Sequence, residues 1–200
     1  EILGFATINL DGGDSTDKYA GDGGDFDCDT EVGYAASTDL PVGSIINEAA
    51  ISSKGGAGYY GGDGGYIDFD AEGEFYIGDT VVKNTGTIDV SGGEGTDDYG
   101  GDSGGVYFYG HDAVMNSATI TAMGGNGATD GGNGLDDDVE FYSSLDVNNS
   151  GSILGTAGAG DNGGDSAGIY MYSGYQTANS GALTAKGGDG VEEAGDGGYV

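Results

Sequence analysis

Residues 61–90 read GGDGGYIDFDAEGEFYIGDTVVKNTGTIDV, and the order of features in this stretch decides the fold. A glycine-rich element around Asp63 comes first, and the alternating run Ile67-Asp68-Phe69-Asp70 follows it. A second short run ends at Asn84, and a third occupies residues 87–90. Alternation of apolar and polar residues in short runs is typical of β-strands. The stretch therefore predicts three short strands separated by turns.

The same order of features recurs along the chain of 200 residues, 47 of which are glycine. The glycine-rich element returns at intervals of 41, 39, 31, 32 and 31 residues. Its central residues, here called the anchor residues, are Asp22, Asp63, Asp102, Asn133, Asp165 and Asp196. A repeat of this length predicts one solenoid domain over residues 1–200. Its units are approximately 21–60, 61–99, 100–130, 131–162 and 163–194, with partial coils at 1–20 and 195–200.

Three short strands per repeat predict one coil of a parallel β-helix. A helical fold is excluded, because glycine and β-branched residues are poor helix formers and no 3.6-residue stripe is present. An antiparallel sandwich fits the strand lengths but not the recurrence of the same residues in every third strand. We expect an all-β parallel β-helix (β-solenoid) of about six coils with three short strands each. We expect it to be right-handed, like other parallel crossovers, with glycine-rich loops on one side.

The alternation also predicts which side chains face the core, because successive side chains of a strand point to opposite sides. In the first strand of each coil the inward pairs are Phe26 and Cys28, Ile67 and Phe69, Val106 and Phe108, Val139 and Phe141, and Ile169 and Met171. In the third strand the inward residues are Ile51, Ile88, Ile120, Ile153 and Leu183. We expect both sets to stack along the solenoid axis, since a single coil buries too little apolar surface to be stable alone.

An asparagine recurs where the second strand of each coil turns into the third. The five positions are Asn47, Asn84, Asn116, Asn149 and Asn179. An amide carries both donors and acceptors, so stacked asparagines can bond to the turn backbone and to one another. We predict an internal asparagine ladder with a structural role.

Two motifs carry a resemblance to a known group of proteins. One is the Gly-Gly-Asp-x-Gly anchor, and the other is the Asn-x-Gly-x-Ile turn, seen at residues 84–88 and 149–153. Over nearly its whole length the chain resembles secreted bacterial Gly/Asp-rich parallel β-helix repeat proteins of the surface adhesin or extracellular fibre type. The resemblance implies an extracellular or cell-surface location and an adhesive or structural role, and it identifies no ligand.

The charge of the chain excludes several classes of partner. Asp and Glu number 35 against four lysines, which gives a formal net charge of −31. We expect no nucleic-acid binding, because phosphate recognition needs Lys and Arg. Anionic membranes are disfavoured for the same reason. No run approaches eighteen apolar residues, so we also expect no membrane insertion.

So many carboxylates on one rod predict bound cations. Outward-facing Asp27 and Asp29 align with Asp68 and Asp70 one coil on, about 5 Å away. Clusters of oxygen ligands in glycine-rich loops suit Ca²⁺, so we expect calcium as a cofactor. The alternative for each acidic loop is a solvated turn, and for an anchor aspartate an Asx-turn. The candidate ligands are Asp27, Asp29, Asp68, Asp70 and the anchor residues Asp22, Asp63, Asp102, Asp165 and Asp196.

Outward tyrosines occupy the later coils of the face that carries aspartate in the early coils. They are Tyr107, Tyr109, Tyr142, Tyr170 and Tyr172. An exposed aromatic strip can bind glycans or a partner chain. The alternative, which we favour, is cross-strand stacking that stabilises the sheet. The single sequon Asn148-Asn149-Ser150 leaves attached sugar open, because one sequon by itself is a weak signal.

The two ends of the sequence match different parts of one coil. Residues 7–10 match a third strand, and residues 195–200 match an anchor and the start of a first strand. Uncapped strand edges pair readily with another chain, and a contact that does not close gives a filament. We therefore expect copies of the chain to join head to tail through Ile2, Thr7, Ile8, Leu10, Tyr199 and Val200. The alternatives are a segment of a large adhesin that binds glycan or another surface, and ends that simply fray.

No constellation of residues points to catalysis, and we expect no enzyme. Glycoside hydrolysis needs two carboxylates at a set separation, and this chain has too many to select a pair. His111 lies in a turn, and Cys28 occupies an inward position that carries Phe or Met in other coils. An ice-binding face needs regular Thr-x-Thr pairs on the third strands. Only residues 119–121 have one, so ice binding is a less favoured alternative.

Overall fold

The computed structural model describes residues 6–32, 43–73 and 80–200, and the secondary structure in this part of the chain is all β. Every strand is short, from two to seven residues. The strands are β1 (Thr7–Asn9), β2 (Phe26–Val32), β3 (Ile45–Asn47), β4 (Ala50–Ser52), β5 (Ile67–Gly73), β6 (Val81–Asn84), β7 (Ile88–Asp89), β8 (Val106–Gly110), β9 (Ala113–Asn116), β10 (Ile120–Thr121), β11 (Val139–Ser143), β12 (Asp146–Asn149), β13 (Ile153–Thr156), β14 (Gly160–Asn162), β15 (Ile169–Ser173), β16 (Gln176–Asn179), β17 (Leu183–Lys186) and β18 (Gly190–Glu193).

Three parallel sheets run along the molecule, each built from one strand per coil. The first strands form the sheet β15-β11-β8-β5-β2, and the second strands form β16-β12-β9-β6-β3. The third strands form β1-β4-β7-β10-β13-β17, and β14 pairs with β18 in the loops. The predicted β-solenoid is therefore confirmed. Since only one of the three sheets has six strands, the number of complete coils is slightly smaller than the six expected.

The core lies between the three sheets and consists of stacked identical or similar side chains. Phe69, Phe108 and Phe141 form a column of parallel rings, with centroids 5.2 and 5.0 Å apart. The isoleucines of the third strands, from Ile51 to Ile153, are at most 2% exposed. Both sets of inward residues predicted from the alternation face the core. At the terminal coils Phe26, Cys28, Met171 and Leu183 are only partly buried, because a neighbouring coil covers them on one side alone.

Two columns of glycines, here called the glycine zipper, close the neck of each glycine-rich loop before an anchor residue. It consists of a first column, Gly13, Gly56, Gly93, Gly125, Gly158 and Gly188, and a second column, Gly21, Gly62, Gly101, Gly132, Gly164 and Gly195. Backbone N–H groups donate alternately from one column to the other, at 2.8–3.1 Å, from Gly195 back to the carbonyl of Gly13. The columns are so close that a Cβ added at Gly125 would lie 1.8 Å from the Gly93 carbonyl oxygen. This close approach of backbone to backbone explains why the anchor element is glycine-rich.

One coil departs from the repeat by a short insertion. Val139 lies six residues after Asn133, whereas Val106 lies four residues after Asp102. The additional residues include Leu135, which adopts a left-handed backbone conformation (φ 54°) and buries its side chain in the core. Its side chain fills the space beside Gly155, where an added Cβ would meet the leucine Cγ. The insertion also places three consecutive aspartates, at 136–138, beside the anchor residues.

Candidate functional site

The five turn asparagines form one continuous hydrogen-bonded ladder through the interior. Each Nδ2 donates to the Oδ1 of the asparagine one coil later. The distances are 2.8, 2.9, 2.8 and 2.8 Å along the series Asn47, Asn84, Asn116, Asn149 and Asn179. The first four side chains are at most 2% exposed. An amide that both donates and accepts along the same axis can continue such a chain without leaving a buried polar atom unpaired.

The same amides also hold the turns of their own coils. Nδ2 of Asn116 donates to the Ala118 carbonyl at 3.0 Å, and the Ala118 N–H donates back to Oδ1 at 3.3 Å. Asn47 makes the equivalent pair of bonds with Ala49. The ladder therefore fixes both the turn between the second and third strands and the spacing between coils, which is a structural role.

The anchor residues form a second ladder, at the surface. The backbone N–H of each anchor donates to Oδ1 of the anchor one coil earlier, at distances from 2.6 to 3.0 Å. Asn133 takes part through its amide oxygen in the same way as the aspartates. This inter-coil contact differs from the Asx-turn considered as the alternative in the sequence, because the acceptor serves the next coil and not its own. It also engages one carboxylate oxygen of Asp22, Asp63, Asp102 and Asp165.

Other loop carboxylates bond to the next coil in the same manner. Asp14 accepts from the Ala57 N–H at 2.9 Å, and Asp25 accepts from the Tyr66 N–H at 3.0 Å. Asp11 accepts from both the Lys54 N–H and the Ser52 hydroxyl. Carboxylates that accept backbone N–H bonds contribute to stability while keeping the surface charged. Part of the acidic character of the chain is therefore used in joining coils.

Several carboxylates lie close together beside the insertion. Burial, together with the nearby charges of Asp136, Asp63 and Asp137, raises the pKa of the half-buried Asp102 to about 6. Burial likewise raises the pKa of Asp136, against a 3.0 Å hydrogen bond donated by the Asn133 amide. These carboxyl groups carry their negative charges at a cost in the folded state, because both burial and like charge disfavour ionisation.

The four aspartates of the first-strand face are aligned as the sequence predicts. In the β2–β5 register Asp27 pairs with Asp68 and Asp29 with Asp70. Burial raises the pKa of Asp68, and the charges of Asp29 and Asp27 raise it further. Within residues 6–32, 43–73 and 80–200, however, no three His, Cys, Asp or Glu side chains form a group that could hold a metal ion. The described residues thus supply the right oxygen chemistry for Ca²⁺ but no complete all-protein cage.

The outward tyrosines lie in two columns of the first-strand sheet. Tyr107 and Tyr170 flank Glu140 in one column, and Tyr109, Tyr142 and Tyr172 succeed one another in the other. The rings of Tyr109 and Tyr142 stack 5.1 Å apart at an interplanar angle of 5°. The faces that a sugar would stack against are therefore covered between these two rings. Tyr107 donates its hydroxyl to the Asp137 carbonyl, and burial, followed by the nearby carboxylates, raises its pKa to about 12.

A further tyrosine stack, not predicted from the sequence, lies at the loop tips. Tyr19, Tyr60 and Tyr99 stack with centroids 4.9 and 5.8 Å apart, and Lys18 Nζ lies 4.9 Å from the Tyr19 ring centroid. Each of the three stands three residues before an anchor residue, so this fixed offset is the signal that could have revealed the stack. The stacking and the cation–π contact indicate a stabilising role for these loops.

A groove of about 380 Å³ follows the corner between the second and third strands. Its walls are the outward residues on either side of the ladder asparagines. We call it the corner groove, and we define it by Lys83, Met115, Ser117, Asn148, Ser150 and Ser180. The sequon residues Asn148 and Ser150 thus both lie in this groove, and both side chains are exposed. No pattern along the sequence indicates the groove, because it is formed by residues from four coils.

The residues proposed for the subunit interface lie at the ends of the described solenoid. Thr7 and Ile8 belong to β1, the edge strand of its sheet, and Leu10 follows directly. Tyr199 pairs with Gly168 and, like Val200, is about three-quarters exposed. Ile2 lies outside the described residues. In the part of the chain that the structure covers, no helix is long and apolar enough to cross a membrane.

The remaining reactive side chains are separated from one another. His111 Nδ1 lies 3.1 Å from Asp112 Oδ1 in the turn before β9. Cys28 faces the core opposite Phe69 in the β2–β5 register, and burial raises the pKa of its thiol. A raised pKa lowers the thiolate fraction, so this cysteine has the character of a packing residue.

The chain was compared with known proteins at the levels of family, sequence and fold. No protein-family model matches the chain, no curated protein matches its sequence, and no solved structure matches its fold. Its function must therefore be inferred from its own geometry.

Proposed function

We propose that the chain is a structural element of an extracellular filament or surface fibre, in which coils continue head to tail from one β-solenoid onto another. The observation that carries the proposal is the continuity of the inter-coil bonding. All three sheets, the asparagine ladder and the anchor ladder run through successive coils to the last described strands. In the described residues the space between the sheets is filled by stacked side chains, and hydrogen bonds along the axis join the coils.

The bonding has a direction, which supports head-to-tail joining. Asparagine amides donate toward the C-terminal end, while anchor carboxylates accept from that end. The last described coil therefore presents the Asn179 amide and the Asp196 carboxylate, both of which are exposed. Two C-terminal ends face to face would oppose carboxylate with carboxylate. A head-to-tail contact matches donors with acceptors, and a contact that does not close on itself propagates.

Calcium belongs to the proposal as a counterion and not as a caged ligand. The carboxylates of Asp27, Asp29, Asp68 and Asp70 are aligned in neighbouring strands. Burial, followed by the charges of Asp29 and Asp27, raises the pKa of Asp68. A Ca²⁺ ion with several water ligands could bridge such pairs, because its coordination is flexible. If it does, millimolar Ca²⁺ raises the melting temperature more than matched ionic strength from NaCl, and Asp68→Asn reduces the difference. An equal effect of both salts would reduce calcium to general screening.

Electron microscopy of the 200-residue chain in millimolar Ca²⁺ tests the filament proposal. Rods that lengthen with protein concentration are expected. The variant Gly13→Ala gives a sharp control, because a Cβ there has no atom of the described residues within 4 Å but points toward any coil stacked before it. We expect this variant to fold with unchanged circular dichroism and to remain unassembled. Single folded particles of the unmodified chain at high concentration would refute the proposal.

A second candidate is a segment of a large adhesin, and one exposed patch favours it. Tyr142, Leu145, Tyr172 and Tyr175 lie near the turn between the first and second strands of neighbouring coils, and each is 45–82% exposed. Exposed apolar patches of this kind mark interaction surfaces. In this case we expect the isolated chain to remain monomeric. The double substitution Tyr172→Ser with Tyr175→Ser should abolish binding to the target surface without changing the melting temperature.

A further inference from the structure

The corner groove differs from the rest of the surface in its charge. The chain carries 35 acidic residues, yet the described residues that line this groove include one lysine and no Asp or Glu. Its lining is hydroxyl, amide and apolar: Ser117, Ser150 and Ser180 on one wall, and Met115 and Asn148 on the other. Its volume, about 380 Å³, falls within the usual range for ligand sites.

The charge pattern selects an uncharged occupant. A polyanion would be repelled by a chain of net charge −31. A polycation would find no carboxylate in the groove and would meet Lys83 instead. A neutral molecule with many hydroxyl groups can accept hydrogen bonds from Lys83 and Asn148 and donate to the serine oxygens. The Ser117 and Ser150 hydroxyls remain acceptors, since each donates its own proton to a backbone carbonyl one coil earlier. Met115, which is 39% exposed, offers apolar surface against which the C–H faces of a sugar can pack.

The spacing of the lining groups favours a linear polymer. Ser117, Ser150 and Ser180 each follow a ladder asparagine, so they recur once per coil, about 4.8 Å apart. One pyranose residue of an extended glycan has nearly this length. An extended peptide advances about 3.3 Å per residue and repeats its side-chain direction every second residue, so it does not match the coil spacing.

We propose that the corner groove binds a neutral linear glycan that lies along the solenoid axis with one pyranose residue per coil. The bound sugars contact the serine wall through their hydroxyl groups and Met115 through a ring face, and Lys83 donates to a hydroxyl at one end. The groove is formed within one chain, so this binding does not depend on filament formation.

Isothermal titration calorimetry tests the proposal on the full chain, whether single or assembled. The probes are the neutral hexasaccharides of cellulose, chitin and laminarin, with an oligogalacturonate of equal length as the anionic comparison. We expect saturable binding of at least one neutral probe and none of the oligogalacturonate. No binding of any neutral probe at millimolar concentration, or equal binding of the anionic one, would overturn the proposal.

Matched tyrosine substitutions locate the binding. Ser150→Tyr fills the groove, whereas Ser152→Tyr places the same side chain on the outer face of the next strand, two residues away. The first should weaken binding at least about tenfold, and the second should leave it unchanged. Should Ser150→Tyr alter the circular dichroism spectrum, Met115→Glu takes its place, since Met115 is exposed and the new charge enters the groove. Binding that survives both groove variants would refute this location.

Discussion

Replacing Gly125 by alanine is expected to destabilise the solenoid strongly, although only one methyl group is added. The new Cβ would lie 1.8 Å from the carbonyl oxygen of Gly93, and real Cβ atoms essentially never come within 3.0 Å of another heavy atom. The two coils must therefore separate locally by about 1 Å. The 2.8 Å bond from the Gly125 N–H to the Gly101 carbonyl lies at the point that opens.

The magnitude follows from two effects. Forcing a methyl group into a packed site costs about 1–3 kcal/mol, and leaving a buried backbone group unpaired costs about 1–3 kcal/mol more. We expect a loss of about 2–6 kcal/mol in the free energy of unfolding, and a fall of about 10 °C in melting temperature for a chain of this length. The measurement is urea denaturation followed by far-ultraviolet circular dichroism, with thermal melts as a second readout.

Two other glycines of the same column provide matched controls. At Gly13 an added Cβ meets nothing within 4 Å, and at Gly56 it would lie 2.3 Å from the Gly13 carbonyl oxygen. Gly13→Ala should be neutral, or stabilising by about 0.4–1 kcal/mol, because alanine restricts the unfolded chain. Gly56→Ala should be destabilising. Equal denaturation midpoints for Gly13→Ala and Gly125→Ala would show that close packing in the glycine zipper does not limit the side chains allowed there.

Three further predictions address the ladders and the core. Asn116→Ala removes a buried rung, so Asn84 Nδ2 loses its acceptor in the next coil and Asn149 Oδ1 loses its donor. A loss of about 2–4 kcal/mol is expected in urea denaturation, whereas Asn179→Ala, at the exposed last rung, should cost less than about 1 kcal/mol. Phe108→Ala empties the centre of the stacked phenylalanine column and should cost about 3–5 kcal/mol, whereas a loss below about 1 kcal/mol would contradict the packing of that column. Burial and like charge raise the pKa of Asp102 in the folded state to about 6, above its ordinary value of 3.8. As the pH falls, the folded state therefore binds this proton before the unfolded state does. The free energy of unfolding should rise from this group as the pH is lowered from 7 to 4. Asp102→Asn keeps the acceptor oxygen and should stabilise the chain at pH 7 by about 1 kcal/mol, after allowance for solvent screening of a half-buried group; the same substitution at the exposed Asp165 should have a smaller effect, and equal effects would refute the role of burial.

The sequence predicts most of the fold because each coil repeats the same local signals. Alternation in runs such as residues 67–70 assigns the inward Ile67 and Phe69, and both are fully buried. The recurrence of asparagine at one place in every coil predicts stacking, and the amide geometry then allows only a few ways to pair. In a solenoid each residue contacts mainly its equivalents one coil away, so a residue's own repeat describes its environment.

The features that were missed arise from contacts between different parts of a coil or from exceptions to the repeat. The glycine zipper joins residues before and after each loop, such as Gly93 and Gly101, whose pairing depends on the path of the intervening loop. The anchor aspartates recur for a reason visible only in three dimensions, namely that each accepts a backbone N–H from the next coil. The corner groove likewise needs Lys83, Ser117 and Ser180 to be brought together from separate coils.

The sequence by itself determined the β-solenoid, its inward faces and the excess of negative charge, because these follow from periodicity and composition. Only the tertiary structure decided what the repeated polar residues do. The closing of the loop necks by glycine, the use of one carboxylate oxygen of several anchor aspartates to join coils, and the covering of the Tyr109 and Tyr142 rings by each other depend on distances between coils. Those distances are set by the pairing of strands in the sheets. The amino-acid sequence alone does not specify them.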